Sequence, residues 1–359
     1  MEHSQLAERL RQALDQEVAR HEISPAAWSR IEERLRPRVW RPAVAVAAAV
    51  VVLTVAAAAT LSLWHAPSRP GTAPAPPRLV ITGRDRLPGK ATALTVGFGS
   101  VWVVGSGVIY RVDQATARTV ATIATPGTGV PGGIAAGAGA VWVTSDTGGH
   151  LGVYRIDPRR DRVTDFIPLP SGPVSIAAAD GRVWVGENSA QGPCVVVRID
   201  PVTNRTTGSP IPVGDNPDSI VSGAGSLWVT SGAGDSVDGI DPATGAITAT
   251  LSILNVDAVG AGSLWGASGY GIQRMDPSAV RPPVTITLPG AQDVVFWTGS
   301  AWAVTAAPSV RIVRIDPGTN RVTGVAAWLG NDLIFVTATP GALWVNDYTA
   351  GDLLRMALA

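Results

Sequence analysis

GRVWVGENSAQGPCVVVRIDPVTNR, residues 181–205, carries the two signals that decide the fold: a glycine three residues before a tryptophan in an apolar run, and a second apolar run that ends in Asp-Pro. The first signal recurs as GSVWV, GAVWV, GRVWV, GSLWV, GSLWG, GSAWA and GALWV. Its tryptophans are Trp102, Trp142, Trp184, Trp228, Trp265, Trp302 and Trp344, preceded by Gly99, Gly139, Gly181, Gly225, Gly262, Gly299 and Gly341. Successive tryptophans stand 37 to 44 residues apart, the period of propeller blades.

The second signal follows in each repeat, as in VYRIDPRRDRVTDFIPLP and IVRIDPGTNRVTGVAAW, so each unit holds four short strands. Asp157-Pro158, Asp200-Pro201, Asp241-Pro242, Asp276-Pro277 and Asp316-Pro317 suit a turn, because Asp accepts backbone N–H bonds and Pro presets φ at the second position; Asp113-Gln114 is the imperfect copy. Glycine at the earlier corner supplies the positive φ of a tight hairpin. A residue type that recurs in nearly every unit serves the unit's construction, so Gly, Trp and Asp-Pro are assigned to the scaffold. The last repeat stops at Ala359 without its outer strand, while an orphan RLVITGRDRLP, Arg78 to Pro88, precedes the first. The expected fold is therefore an all-β, seven-bladed propeller over residues 78–359, closed by an N-terminal strand that pairs with the third strand of the last repeat.

Residues 42–64 contain AVAVAAAVVVLTVAAAATLSLW, Ala43 to Trp64, long enough to cross a hydrocarbon core of roughly 30 Å as a transmembrane helix. The alternative, a cleaved signal peptide ending at Ala57 to Ala59, sits badly with the long segment before it. Arg30, Arg34, Arg36, Arg38 and Arg41 precede the run against Arg69 and Arg78 after it, which puts the N-terminus in the cytoplasm and the propeller outside the cell membrane. Residues 1–41 read as a helical segment: Leu6, Leu10, Leu14 and Val18 share one face, and Ser24-Pro25 opens a second helix with Trp28, Ile31 and Leu35 on one side. It is either a docking hairpin for a cytoplasmic protein partner or a charged membrane-proximal tail. Residues 65–77, HAPSRPGTAPAPP, read as an extended Pro-rich linker.

The chain has 28 basic and 28 acidic residues and a single cysteine, Cys194, which excludes an internal disulfide and gives no electrostatic reason to expect nucleic acid. Of the basic residues only Lys90 is lysine, and Ala, Gly and Pro abound, a bias that suggests a bacterial source. Propeller topology sorts the charges by face. Asp146, Glu187, Asp215, Asp218, Asp235, Asp257, Asp293, Asp332 and Asp347 fall on the face of the B–C and D–A loops, with Lys90 as a nearly solitary cation. Arg118, Arg159, Arg160, Arg162, Arg205 and Arg321 fall beside the Asp-Pro turns on the other face, which should look toward anionic lipid. The candidate ligand-binding set is Asp146, Glu187, Asp218, Asp257, Asp293, Asp332 and Asp347, for a cation, a sugar or a basic partner. No cofactor is required, and a divalent cation is the one the acidic loops would accept.

Asp257 stands out. Eight residues before each tryptophan come Leu94, Ile134, Ile176, Ile220, Asp257, Val294 and Val336, one carboxylate in an apolar series. Either it faces the axial channel or this repeat has slipped by one residue, the reading that a shorter loop favours.

The GxGxLWV and RIDPxTNxV units resemble those of the virginiamycin B (streptogramin) lyase-like and NHL-type propellers over Arg78 to Ala359. The resemblance implies the seven-bladed fold. It also implies, for a lyase, paired histidines with glutamate and magnesium, whereas this propeller has one histidine, His150, and one glutamate, Glu187, both expected in B–C loops. They are the only catalytic candidates, and no GxSxG, HExxH or Walker motif accompanies them. The reading favoured is a membrane-anchored extracytoplasmic binding or sensing module for an unknown ligand or protein, more a binder than an enzyme; the alternative is a divergent lyase-like or hydrolytic propeller.

Overall fold

A computed structural model describes residues 78–125, 133–147, 149–189, 192–232, 236–253, 255–306, 310–328, 333–347 and 350–359. Its strands form seven four-stranded antiparallel sheets, the blades of a propeller. In order, inner strand A to outer strand D, the blades span residues 93–124, 134–168, 172–212, 217–251, 258–287 and 291–328, and the seventh takes 333–358 together with Leu79–Arg86. Among the described residues no helix is long and apolar enough to cross a membrane; the segments read as cytoplasmic helices, span and linker lie outside them.

Each strand B is walled by its own sheet at the edges and by neighbouring blades on both faces, so it is buried throughout and mainly apolar rather than alternating. Ser100–Gly105, Ser300–Thr305 and Ala342–Asp347 are buried at every position. The recurrent tryptophan closes the A–B hairpin behind it. Its indole N–H donates to the carbonyl five residues earlier, at 3.0 Å from Trp102 to Gly97, 3.0 Å from Trp142 to Gly137 and 2.9 Å from Trp265 to Gly260. A two-residue hairpin of this twist needs positive φ at both central positions. Phe98 (53°) and Gly99 (72°) meet that need in blade one. Blade seven has Pro340 at the first position, which cannot take positive φ, and there the Trp344 indole turns to the Thr339 hydroxyl instead.

The apolar side chains gather between blades rather than within one. Trp184, Val196 and Ile211 of blade three pack with Ile220, Leu227, Val229 and Ile240 of blade four, and the pattern repeats around the ring. The ring closes as the sequence suggested. Leu79–Arg86 runs antiparallel to Asp352–Leu358, with Leu79 opposite Leu358 and Arg86 opposite Asp352. The Asp-Pro turns are carboxylate-capped: Asp200 Oδ1 accepts the Val202 N–H at 2.7 Å and Asp316 Oδ1 that of Gly318 at 2.7 Å. Asp113 caps Thr116 in the same way at 2.8 Å, so the turn forms without proline.

Candidate functional site: the axial cavity

The seven inner strands surround a cavity of about 830 Å³ on the axis. One side of its wall is aliphatic, with Leu94, Ile134 and Ile176 from blades one to three. On blades four to six the aliphatic lining continues in Ile220, Val221, Val294 and Val295, and there it is joined by a polar group, Asp218, Thr230, Asn255, Asp257, Gln292 and Asp293.

Asp257 lies in this wall, and the slipped repeat is not what the structure shows. Trp265 stands opposite Ala258, as Trp228 stands opposite Val221 and Trp302 opposite Val295, so blade five keeps the common register. What differs is that strand A ends at Ala258. In blades four and six the ladder continues outward to Ser219 opposite Thr230 and Asp293 opposite Val304. In blade five the Asp257 carboxylate replaces that backbone: its Oδ2 accepts the Ala267 N–H at 2.7 Å and its Oδ1 accepts from Asn255 Nδ2 at 2.6 Å. Asn255 is held in turn by the Thr230 hydroxyl, at 3.1 Å.

Asp293 bridges blades. Its Oδ1 accepts its neighbour Val294 N–H at 2.7 Å and its Oδ2 accepts the Val336 N–H of blade seven at 2.8 Å. The equivalent positions of the preceding blades do similar work with hydroxyls, as Ser175 donates to the Pro217 carbonyl at 2.5 Å and Ser219 to that of Val256 at 3.3 Å. Asp218 rests on Asn216 Nδ2, and Asn188 orients Asn216 across the blade boundary at 3.1 Å. Gly232 makes room for it, since a Cβ there would fall 1.8 Å from Asp218 Oδ2.

Asp257 and Asp293 are part-buried in the cavity wall and packed round by protein, so their charged forms are poorly solvated, whereas Asp218 is exposed at its edge. Burial pushes Asp257 up to about 7. Asp293 is held well above the usual carboxylate range, first by burial and then by the charge of Asp257. Asp218 is raised by burial, against the bond from Asn216. The site thus contains carboxyl groups that can donate as well as accept hydrogen bonds near neutral pH.

The remaining candidates are dispersed. His150 is exposed at the start of strand His150–Asp157, its ring edge-on to Phe166 at 5.9 Å. Glu187 is not in a loop, as its position in the sequence suggested, but in strand Arg182–Asn188, paired with Pro173 and Val195. It is fully buried: Oε2 accepts the Ser171 N–H at 3.2 Å, Oε1 has no partner among the described residues, and burial raises its pKa. Asp347 is buried at a hairpin, where Oδ1 accepts the Ala350 N–H, and Asp146 is exposed; neither is in the cavity wall. Asp332 and Asp235 lie outside the described residues. Asn255, Gln292 and Thr230 were missed, because an uncharged polar residue next to a strand end carries no chemical signature of its own. Among the described residues no three His, Cys, Asp or Glu side chains come together as a metal-ligand set.

No known family model matches the chain, and no curated protein matches it by sequence. Its fold is shared by solved structures of low identity. A catalytically inactive virginiamycin B lyase from Staphylococcus aureus, solved with quinupristin, has 17% identity and a TM-score of 0.64 over 79% of this chain and 100% of that one. The hydrazine synthase of Kuenenia stuttgartiensis has 13% identity and a TM-score of 0.61 over 76% and 96%. The Pan2 WD40 domain of Neurospora crassa has 11% identity and a TM-score of 0.61 over 78% and 95%. At these identities the likeness establishes the propeller fold, which hosts enzymes and binding domains alike.

Proposed function

We propose that the chain is a membrane-anchored extracytoplasmic binding module whose axial cavity takes a small organic ligand, one that carries an amine or several hydroxyls on an apolar body. The observation that carries this reading is one cavity wall that is aliphatic around the axis and carries convergent polar groups, Asp218, Asn255, Asp257, Gln292 and Asp293, on the side of blades four to six. Binding sites of this size pair apolar surface with a few convergent polar groups, and an amine or hydroxyl arriving there meets acceptors already ordered by hydrogen bonds. Anchoring is supported by the apolar run from Ala43 to Trp64 and the arginines that precede it, and residues 1–41 would then be free to engage a cytoplasmic partner. Among the described residues the cavity wall holds no histidine, which favours binding over lyase chemistry of the histidine type.

The ring is complete within residues 79–358, so residues 78–359 can be tested alone. Calorimetry against a panel of amines, amino sugars and neutral sugars should find a ligand whose affinity falls at least tenfold in Asp293→Asn or Asp218→Asn. Binding that is indifferent to both changes would place the ligand elsewhere, and silence across the panel would count against this ligand class.

A further inference from the structure

The two ends of the ring differ in more than sign. The end formed by the A–B hairpins and C–D turns carries Arg78, Arg118, Arg159, Arg160, Arg162, Arg205, Arg281 and Arg321, all exposed. Its turn aspartates, Asp113, Asp157, Asp200, Asp241, Asp276 and Asp316, are partly buried and stay ionised, held below the usual carboxylate range by turn N–H groups and neighbouring hydroxyls, and Asp157 also pairs with Arg160 at 2.9 Å. Asp180, in the hairpin of blade three, stands exposed among them.

Three bare apolar tips project from this same end. Phe98 in the hairpin of blade one is 44% exposed, Val202 in the turn of blade three 87%, and Val280 in the turn of blade five 80%. They sit on alternate blades, so they are spread around the rim rather than gathered in one patch. Phe98 also borders a hollow of about 570 Å³ lined by Arg155, Arg159 and Arg160 together with Asp157 and Asp165; Arg160 is paired to Asp157 there and Arg155 is bonded to Asn204, which leaves Arg159 as the cation turned to an arriving anion. The described chain enters the ring at this end, at Leu79, the first residue of the closing strand.

We infer that this end of the propeller docks flat on an anionic lipid surface, with Phe98, Val202 and Val280 dipping into the interface while the arginines pair with headgroup phosphates. Charge alone would suit any polyanion. The exposed valines choose between them, because an isopropyl side chain on a turn tip gains from leaving water for the acyl boundary and has no ring to stack on the bases of a nucleic acid. Arginine suits the phosphate partner through paired N–H donors. Docking would leave the opposite end, with Lys90 and the acidic loops, open to solvent. The inference rests on the proposed extracytoplasmic anchoring, but it concerns a different part of the chain and fails separately.

The test is flotation of residues 78–359 with vesicles of phosphatidylcholine, with and without about one-third phosphatidylglycerol, at about 0.1 M salt. The expected result is binding to the anionic vesicles at least tenfold tighter than to neutral ones. Two variants should each lower it several-fold with unchanged melting: Arg159→Glu/Arg205→Glu/Arg321→Glu and Phe98→Ala/Val202→Ser/Val280→Ser. No flotation, equal flotation with neutral vesicles, or insensitivity to both variants would overturn the inference. So would binding to a short DNA duplex of similar strength that the apolar-tip variant leaves intact, which would mark a general polyanion face. Carbonate extraction of membranes that contain the full chain tests the anchor independently: release of the chain would refute the span, whatever the vesicles show.

Discussion

Arg274 of blade five donates from Nη1 to Oδ1 of Asn320 in the turn of blade six, at 2.7 Å. The same guanidinium lies over the Trp265 ring, 4.9 Å from its centroid, and also reaches the Pro317 carbonyl. This is a staple repeated around the ring. Arg111 reaches Asp161 at 2.9 Å, Arg155 reaches Asn204 at 2.9 Å, and Arg355 carries it across the closure to the Gln114 carbonyl at 3.1 Å. In each case an arginine opposite the strand B tryptophan leaves its own blade and fastens the C–D turn of the next.

Arg274→Ala removes a stacked cation and charge-assisted bonds at once and should cost about 2–3 kcal/mol, while Arg274→Lys, which cannot fork or stack as well, should recover less than half of that. A double-mutant cycle with Asn320→Ala, read by urea denaturation, should give a coupling of about 1 kcal/mol. Additivity would show that the contact is incidental.

Blade three has the staple without its acceptor. Arg198 stands over Trp184, 5.8 Å from the ring centroid, but the turn of blade four has Gly245 where Asn204 and Asn320 stand elsewhere, and Arg198 Nε is buried without a partner among the described residues. Gly245 has φ 76°, which asparagine tolerates, and a Cβ there would meet Arg198 Nη1 at 3.4 Å and Ile211 Cδ1 at 3.2 Å. Gly245→Asn should therefore raise stability by about 0.5–1 kcal/mol, whereas Gly245→Ala, with the same strain and no acceptor, should lower it. Thermal melting of the two variants decides the point, and equal losses in both would show that the turn has no room to supply the missing partner.

Much of this architecture was legible because it repeats. The tryptophan, its glycine and the Asp-Pro turn announce themselves seven-fold or nearly so, and the orphan strand Leu79–Arg86 was found by asking what the last repeat lacked. The arginine two residues before the turn aspartate repeats as well, in Arg111, Arg155, Arg198, Arg274 and Arg314, with Gly239 in its place before Asp241, yet its role was hidden because the partners of Arg111, Arg155 and Arg274 belong to another repeat. The cavity wall was legible only at Asp257, where one carboxylate interrupts an apolar series. Its exact placement depended on where strand A leaves the ladder, and that is set by the Asn255 backbone crossing Gly266, a contact with no sequence periodicity.

Closure by Leu79–Arg86 should matter more than its eight residues suggest. Removing residues 78–88 strips the outer edge of blade seven, uncovers Leu353 and Met356 and leaves Asp352–Leu358 as an open strand edge. The shortened propeller should melt well below the intact one, by on the order of 10 °C, and self-associate. An unchanged melting temperature and a monomeric elution profile would show that the ring holds without its clasp.

Stability should peak in mildly acidic solution, because two sets of carboxylates pull in opposite directions. The turn aspartates, with pKa lowered by their N–H donors, stabilise the fold above the unfolded value of about 3.9 and lose that contribution as pH falls through their folded values. Asp257, Asp293, Asp218 and Glu187 are raised, so the folded state holds their protons more tightly than the unfolded chain does. Their contribution is complete below about pH 4 and is lost as pH climbs, for Asp257 through about 7. Melting temperatures measured from pH 3 to pH 8 should thus rise, pass a maximum near pH 4–5 and decline. Asp257→Asn should flatten only the declining limb, raising the melting temperature at pH 8 by about 2–4 °C for each kcal/mol of relieved charge burial while leaving pH 4 nearly unchanged. An equal shift at both ends would mean that the substitution acts through packing and not through the buried charge.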